Sequence, residues 1–347
     1  MPSLAPSFNE PLVFSPFFRP QVWGGQRLAE LLNKPLPSGV SIGESWELSA
    51  QSRHHSLVQQ GPFAGKTLPQ LWQTAREKFI GSDHPEVKSF PWLIKWLDCH
   101  ADLSVQVHPD DALAQRLLGE PNGKTESWVI LRAEPTARIY AGWKAGVTRA
   151  DVVAALAAGS VAECLHRFTP TAGQCIHIPA GTVHALSGGI VLAEIQQTSD
   201  ATFRLFDWNR VDGLGHARPL HLATAMEAAD FTHGPVSPIT PSSLPDSTDG
   251  AEHQLLVECP YYRLERLQLT RSWMAPQGGL SALIMISGSA VLQVPGVATD
   301  QPLHRGMTVL LPAVMPVPTI QPTDDAPAVL LKVCLPNPFD RSVISSA

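Results

Sequence analysis

The chain has 347 residues, 44% of them hydrophobic and 16% charged, with a formal net charge of −6. That length exceeds a usual single core, so one large domain with a smaller companion is expected. The apolar share excludes a disordered chain, and the acidic balance argues against nucleic acid or an anionic membrane as partner.

No apolar run approaches the roughly 18 residues of a membrane span. The N-terminus lacks a basic start followed by an apolar stretch, so it does not read as a signal peptide, and the expected location is the cytoplasm. The five cysteines (Cys99, Cys164, Cys175, Cys259 and Cys334) form no C-x-x-C pair. They read as reduced thiols rather than a disulfide framework or a thiolate zinc site.

Thirty-two prolines and 25 glycines spread along the chain suggest many short strands joined by turns. In chain order, 26–32 has the spacing of a short helix, and 45–49 and 56–59 read as strands. A second helix is expected at 68–76. Residues 90–97 form a dense apolar strand that continues after a turn into 103–107. The pair His54-His55 reads as a solvated loop, and Trp72, Trp92 and Trp96 as packing residues. Lys95, between Ile94 and Trp96, is a lysine in an apolar strand and needs a partner.

Helical spacing returns at 110–118 and at 149–158, which Gly159 ends. Strands follow at 174–178, 190–196 and 203–208. Residues 236–250 are Pro-, Ser- and Thr-rich without apolar period and read as a linker. Beyond it, strands are expected at 262–269, 280–286, 290–294, 306–311 and 328–333. The Gly306–Pro312 stretch repeats the glycine, five residues, proline pattern of 173–179, but no histidine falls where His184 would. The expected plan is a metal-binding first domain over 1–235 and a second, degenerate barrel over 251–347 that buries a face of the first.

The most informative stretch is 173–184: a glycine turn, an apolar strand, a Pro-x-Gly turn and His184 at the start of the next strand. That spacing faces His184 inward at the mouth of a small β-barrel. Upstream, Gln106 and His108 share one face of their strand because side chains alternate with period two. Glu126 follows in an apolar segment, where an unpaired carboxylate is expensive. Gln106, His108, Glu126 and His184 together make a site for a divalent metal. His177 alternates with Ile176 and Ile178 and reads as a satisfied core histidine rather than a further ligand.

These motifs resemble type I mannose-6-phosphate isomerase (phosphomannose isomerase), a zinc enzyme of the cupin superfamily, in its short bacterial form. The resemblance runs from about residue 15 to 235. It rests on Val22-Trp-Gly-Gly25, Gly43-Glu-Ser-Trp-Glu-Leu48, Leu103-Ser-Val-Gln-Val-His-Pro-Asp110, Lys124-Thr-Glu126, Ile178-Pro-Ala-Gly-Thr-Val-His-Ala185 and Glu194 through Arg204. It implies a mainly β fold of two cupin-type (jelly-roll) barrels with a few helices in and around the first. It also implies one zinc ion per chain on Gln106, His108, Glu126 and His184.

By the same resemblance Arg204 is the catalytic arginine, with Asp200 close before it in the chain. Glu194 and Lys124 come next in catalysis, Ser104 and Lys95 line the substrate pocket, and Arg210 is a further basic residue. Before the resemblance, Arg204 reads equally well as a salt-bridge partner of Asp200 or Asp207.

The activity so implied is interconversion of D-mannose 6-phosphate and D-fructose 6-phosphate through an enediol. Two imidazoles, one carboxylate and a neutral amide leave the ion a net charge of about +1, a usable Lewis acid, and the lack of thiolates suits zinc. A phosphate dianion needs paired donors, for which Lys95, Lys124, Arg210 and Ser104 are candidates. The alternatives are an isomerase of another sugar phosphate, a non-haem metal oxygenase, or a metal-stabilised sugar binder without turnover. The expected partner is a small sugar phosphate, on a monomer or homodimer.

Overall fold

Period-two alternation along the strand Trp92–Cys99 sets the plan of the fold. Lys95, Leu97 and Cys99 turn inward, while Trp92, Ile94 and Trp96 turn to the opposite face. The structure, a computed structural model, describes residues 7–211, 215–245, 251–275 and 278–337. Of the expected linker, residues 246–250 lie outside the described residues, as do 1–6 and 338–347 of the segments that flank it.

The inward residues close a first barrel between two antiparallel sheets. One sheet runs, edge to edge, Cys175–Ile178, Glu126–Ala133, Ile190–Gln197, Trp92–Cys99, Ile42–Leu48 and Phe17–Gly25. The other runs Leu165–Phe168, Ile139–Trp143, His184–Leu186, Val105–Val107 and Phe203–Phe206. One end of the interior is apolar, packed with Leu97, Cys99, Trp128, Ile130, Ile176, Ile190 and Leu192. Farther along the same strands the inward positions become Lys95, Glu126 and Glu194. The barrel therefore has a greasy floor and a charged mouth.

A second barrel follows. Its larger sheet includes Ala251–Glu258, Arg263–Leu269, Ala328–Cys334, Ser281–Ser287 and Thr308–Leu311. Its smaller sheet holds Trp273–Met274, Thr319–Pro322, Ser289–Gln293 and Gln301–His304. The N-terminal strand Leu12–Ser15 joins the larger sheet, with Leu12 opposite Leu310 and Val13 opposite Val309. The first 235 residues thus lend a strand to the second barrel. Met285, Leu292, Leu303 and Leu330 fill its interior; burying such side chains is worth about 1.5–3 kcal/mol each.

The two barrels meet back to back. Trp92, Ile94, Trp96, Ala193 and Ile195 pack against Leu264, Ala282, Ile284, Leu310 and Leu331, so the second barrel buries a face of the first. Two indoles also bridge the seam: Trp96 Nε1 donates to the Gly306 carbonyl at 3.1 Å, and Trp92 Nε1 to the Tyr261 carbonyl at 3.2 Å. Gly306 sits at φ +85°, and a Cβ there would lie 2.7 Å from Leu32 Cβ, which excludes larger residues.

Helices surround the first barrel. Thr67 and Gln70 form a reciprocal capping box that starts Leu68–Ile80, and Gly159 in the left-handed region ends Arg149–Ala158. The first of these outruns the expected 68–76 because Phe79 and Ile80 find a place in the seam, across an irregular Ala75. The expected solvated loop at His54-His55 is instead a short strand paired with Ala50–Gln51. His54 stacks on Phe17 with ring centroids 3.9 Å apart, and that contact outweighs its polarity.

Candidate active site

The mouth of the first barrel is a cavity of about 280 Å³. Strand register assembles it. Gln106 stands opposite His184 on one side and Arg204 on the other, while Glu194 faces Lys95 and Trp128. Ser104, Gln106, Lys124, Glu126, His184, Glu194, Asp200, Arg204 and Lys95 all line it. These residues come from six separate stretches of sequence and converge because each occupies an inward strand position, or a segment adjoining one, near the same end of the barrel.

His108, Glu126 and His184 are buried, and one possible ligand atom from each lies within 4.8 Å of the others. His184 Nε2 is 3.5 Å from Glu126 Oε1, and His108 Nε2 is 3.6 Å from Glu126 Oε2. Each imidazole is oriented by a carbonyl. His108 Nδ1 donates to Ala201 O at 2.8 Å, and His184 Nδ1 to Thr182 O at 2.9 Å. With Nδ1 carrying the proton, each Nε2 keeps its lone pair on the side of the Glu126 carboxylate. Gln106 completes the group, its amide nitrogen 3.3 Å from His184 Nε2 and its Oε1 3.4 Å from Ser104 Oγ.

Electrostatics match that tautomer. Burial, helped by the Lys124 ammonium, pushes the His108 imidazole down to about 4, and burial lowers His184 too. Burial alone raises Glu126, but the opposing effects, led by the Lys124 ammonium, hold the carboxyl well below the usual range. Glu126 Oε1 is buried with no hydrogen-bond partner. An orphaned carboxylate oxygen between two imidazole lone pairs fits a divalent cation.

Behind the cluster runs a chain of alternating charge. Lys124 pairs with Glu126 and stands 3.1 Å from His108 Nε2 and 3.8 Å from Glu194. Lys95 lies 3.1 Å from Glu194 and 3.6 Å from Glu44. These are the partners its place in an apolar strand demanded. Burial works against its charge, yet the two carboxylates prevail and raise its pKa. Glu194 also accepts from Trp128 Nε1 at 3.3 Å. Asp200 pairs with Arg19 at 3.0 Å and is half exposed; Lys95 and Arg19 together overcome burial and lower its pKa.

Arg204 forms neither of the salt bridges its sequence neighbourhood suggested. Its Nη1 donates to the Pro219 carbonyl at 2.8 Å, and its Nε is buried without a hydrogen-bond partner. Asp200 turns to Arg19, and Asp207 to Arg210 and Arg218. Arg210 does not line the cavity; its guanidinium is drawn to Asp207 and to the Asp102 carbonyl. His177 is satisfied as expected, 2.9 Å from Ser127 Oγ, which in turn contacts Tyr262 OH at 2.8 Å.

Five charged or polar lining residues escaped the sequence reading: Arg19, Gln21, Glu44, Thr202 and Arg218. Glu44 had a signal, being an inward glutamate in an otherwise buried strand; Trp46 Nε1 and Gln21 Nε2 each donate to it at 2.6 Å. Arg218 had none, because it follows an irregular loop with no period to project.

Residues 12–135 match the family described as phosphomannose isomerase type I, catalytic domain. The mannose-6-phosphate isomerase ManA of Bacillus subtilis is 34% identical over 304 residues, spanning 88% of this chain and 93% of the relative. The mannose-6-phosphate isomerase of Streptococcus mutans is 36% identical, over 76% of this chain and 80% of the relative. The crystal structure of the mannose 6-phosphate isomerase from B. subtilis superimposes with a TM-score of 0.84 at 33% identity, covering 93% of this chain and 99% of that one. The chain belongs to the family of type I phosphomannose isomerases.

Proposed function

We propose that the protein interconverts D-mannose 6-phosphate and D-fructose 6-phosphate through an enediol, with one zinc ion per chain. The observation that carries this reading is a buried His108–Glu126–His184 cluster whose Glu126 and His184 share a cavity with Lys124, Glu194, Asp200 and Arg204. His108 Nε2, His184 Nε2, Glu126 and, after a half-turn of its amide, Gln106 Oε1 would hold the zinc. When bound, the ion polarises the substrate carbonyl and the neighbouring hydroxyl, acting as a Lewis acid.

The chain's own groups divide the remaining work. Asp200 stands at the open side of the cavity and is the carboxylate available to move protons during ring opening and the shift between the two carbons. Glu194 is tied to Lys95, Lys124 and Trp128 Nε1, so its lone pairs are committed and it positions Lys124. Arg204, with an unpartnered buried Nε, offers a donor to the oxyanion that develops in the enediolate. Trp128 and Leu97 below the cluster limit water.

The test is NMR of mannose 6-phosphate incubated with the purified protein, before and after chelation and zinc return. Fructose 6-phosphate should form, stop forming with chelator and resume with zinc. Glu126→Gln should cost at least about a hundredfold in turnover, since even groups that merely support metal ligands cost about 10–100-fold. No product from the zinc-loaded protein, or full turnover in Glu126→Gln, defeats the assignment.

A further inference from the structure

The cations in and around the mouth differ in how they are partnered. Lys95 and Lys124 are enclosed among Glu44, Glu126 and Glu194, so their charge is matched inside the protein. At the other end Arg210 and Arg218 both pair with Asp207, and Arg204 lies near them. Asp207 is buried, and its two oxygens grip Arg218 at two points, Oδ2 to Nε at 2.7 Å and Oδ1 to Nη2 at 2.5 Å. A bridge between Val211 and Ala217 closes the loop that brings Arg218 back to this place.

Arg218 and Arg204 line the cavity, whereas Arg210 does not. Burial and the nearby Arg218 both disfavour the Arg204 charge, while Asp207 acts the other way. We infer that Arg218, held rigid by Asp207, is the specificity-determining guanidinium for the substrate's phosphate. The dianion lies on Arg218, away from the lysine end of the cavity, which leaves Arg204 to the reacting oxygens. A preoriented guanidinium presents paired donors to phosphate oxygens and loses little freedom on binding. The lysines, by contrast, would have to abandon buried carboxylates to meet a dianion.

This inference rests on the sugar-phosphate reading above, so the test separates the two. In the zinc-loaded protein, Arg218→Gln should raise KM for mannose 6-phosphate about tenfold or more while lowering kcat much less. It should weaken competitive inhibition by inorganic phosphate by a similar factor. Arg218→Lys, which keeps the charge and loses the fork, should fall between the two, and it serves if the glutamine variant does not fold. Arg210→Gln should cost less than Arg218→Gln. Phosphate affinity unchanged in Arg218→Gln, or a larger loss in Arg210→Gln, overturns the assignment. If the wild type binds inorganic phosphate but turns over no mannose 6-phosphate, calorimetry of phosphate on both proteins still decides the role of Arg218, and only the isomerase reading fails.

Discussion

Replacing Lys95 by methionine removes the charge from the middle of the buried network while nearly preserving volume. The ammonium lies 3.1 Å from Glu194 and 3.6 Å from Glu44 and is 4% exposed. At an effective dielectric constant of about 20, a unit pair at 3.1 Å is worth about 5 kcal/mol before desolvation is counted. Removing one partner of such a buried pair leaves uncompensated charge and costs about 3–5 kcal/mol. The expected loss of stability near pH 8 is in that range.

The pH dependence identifies the cause. The Lys95 pKa is raised on folding, so its stabilisation is complete below its unfolded value of about 10.5 and is lost only as pH rises through the folded value. Across pH 5–8 the wild-type contribution is therefore flat. In Lys95→Met the carboxylates of Glu194 and Glu44 lose that ammonium, and protonation at lower pH relieves part of the loss. The folded variant then binds more protons than the unfolded one, and its deficit shrinks as pH falls. Urea unfolding followed by tryptophan fluorescence, at equal zinc occupancy, should show the deficit smaller at pH 5 than at pH 8 by at least about 1 kcal/mol, since one pK unit is about 1.4 kcal/mol. Adding Glu194→Gln should recover part of the loss. A deficit under about 1 kcal/mol at pH 8, or one independent of pH, would refute the network as described.

Two further predictions concern the seam and a buried imidazole. Trp96→Phe should cost about 1 kcal/mol, because the Gly306 carbonyl loses the indole but keeps Lys34 Nζ at 2.9 Å, while Trp96→Ala should cost about 3–5 kcal/mol. Equal losses of melting temperature in the two variants would mean that packing is not what Trp96 contributes. Burial pushes His177 down to about 4, so the unfolded chain takes up a proton before the folded one does. Stability through this residue is lost as pH falls from about 6.5 towards about 4. His177→Gln should flatten the slope of stability with pH over that window; an unchanged slope argues that other groups set it.

What the sequence made legible was whatever rests on short-range periodicity. Alternation placed Gln106 and His108 on one face, the Pro-x-Gly turn placed His184, and an out-of-place lysine announced a buried partner at Lys95. What it could not reveal was pairing between distant segments. The partners of Arg204, Asp200 and Asp207 depend on Arg19 and Arg218, which lie 181 residues before Asp200 and 11 after Asp207. Strand register decides those meetings, and no local pattern encodes it. The strand Ile139–Trp143 and the helix Leu222–Ala228 went unrecognised for a related reason. Each is short, and it is packing against neighbouring strands, not propensity, that stabilises it.

The back-to-back arrangement gives the second barrel a part in shaping the site, although none of its described residues lines the cavity. Lys95 and Glu194 project into the mouth from the strands Trp92–Cys99 and Ile190–Gln197, and their immediate neighbours Ile94, Trp96, Ala193 and Ile195 project into the seam. A strand cannot slip by one residue without exchanging these two sets, which would put charge in the apolar seam and tryptophan in the mouth. Each side chain buried against the second barrel thus fixes the register of a charged one on the other face. The Trp96 indole bonded to Gly306 O locks that register at the position next to Lys95. The seam is what holds Lys95 within reach of Glu194 and Glu44, and through Glu194 it positions Lys124 beside the histidines.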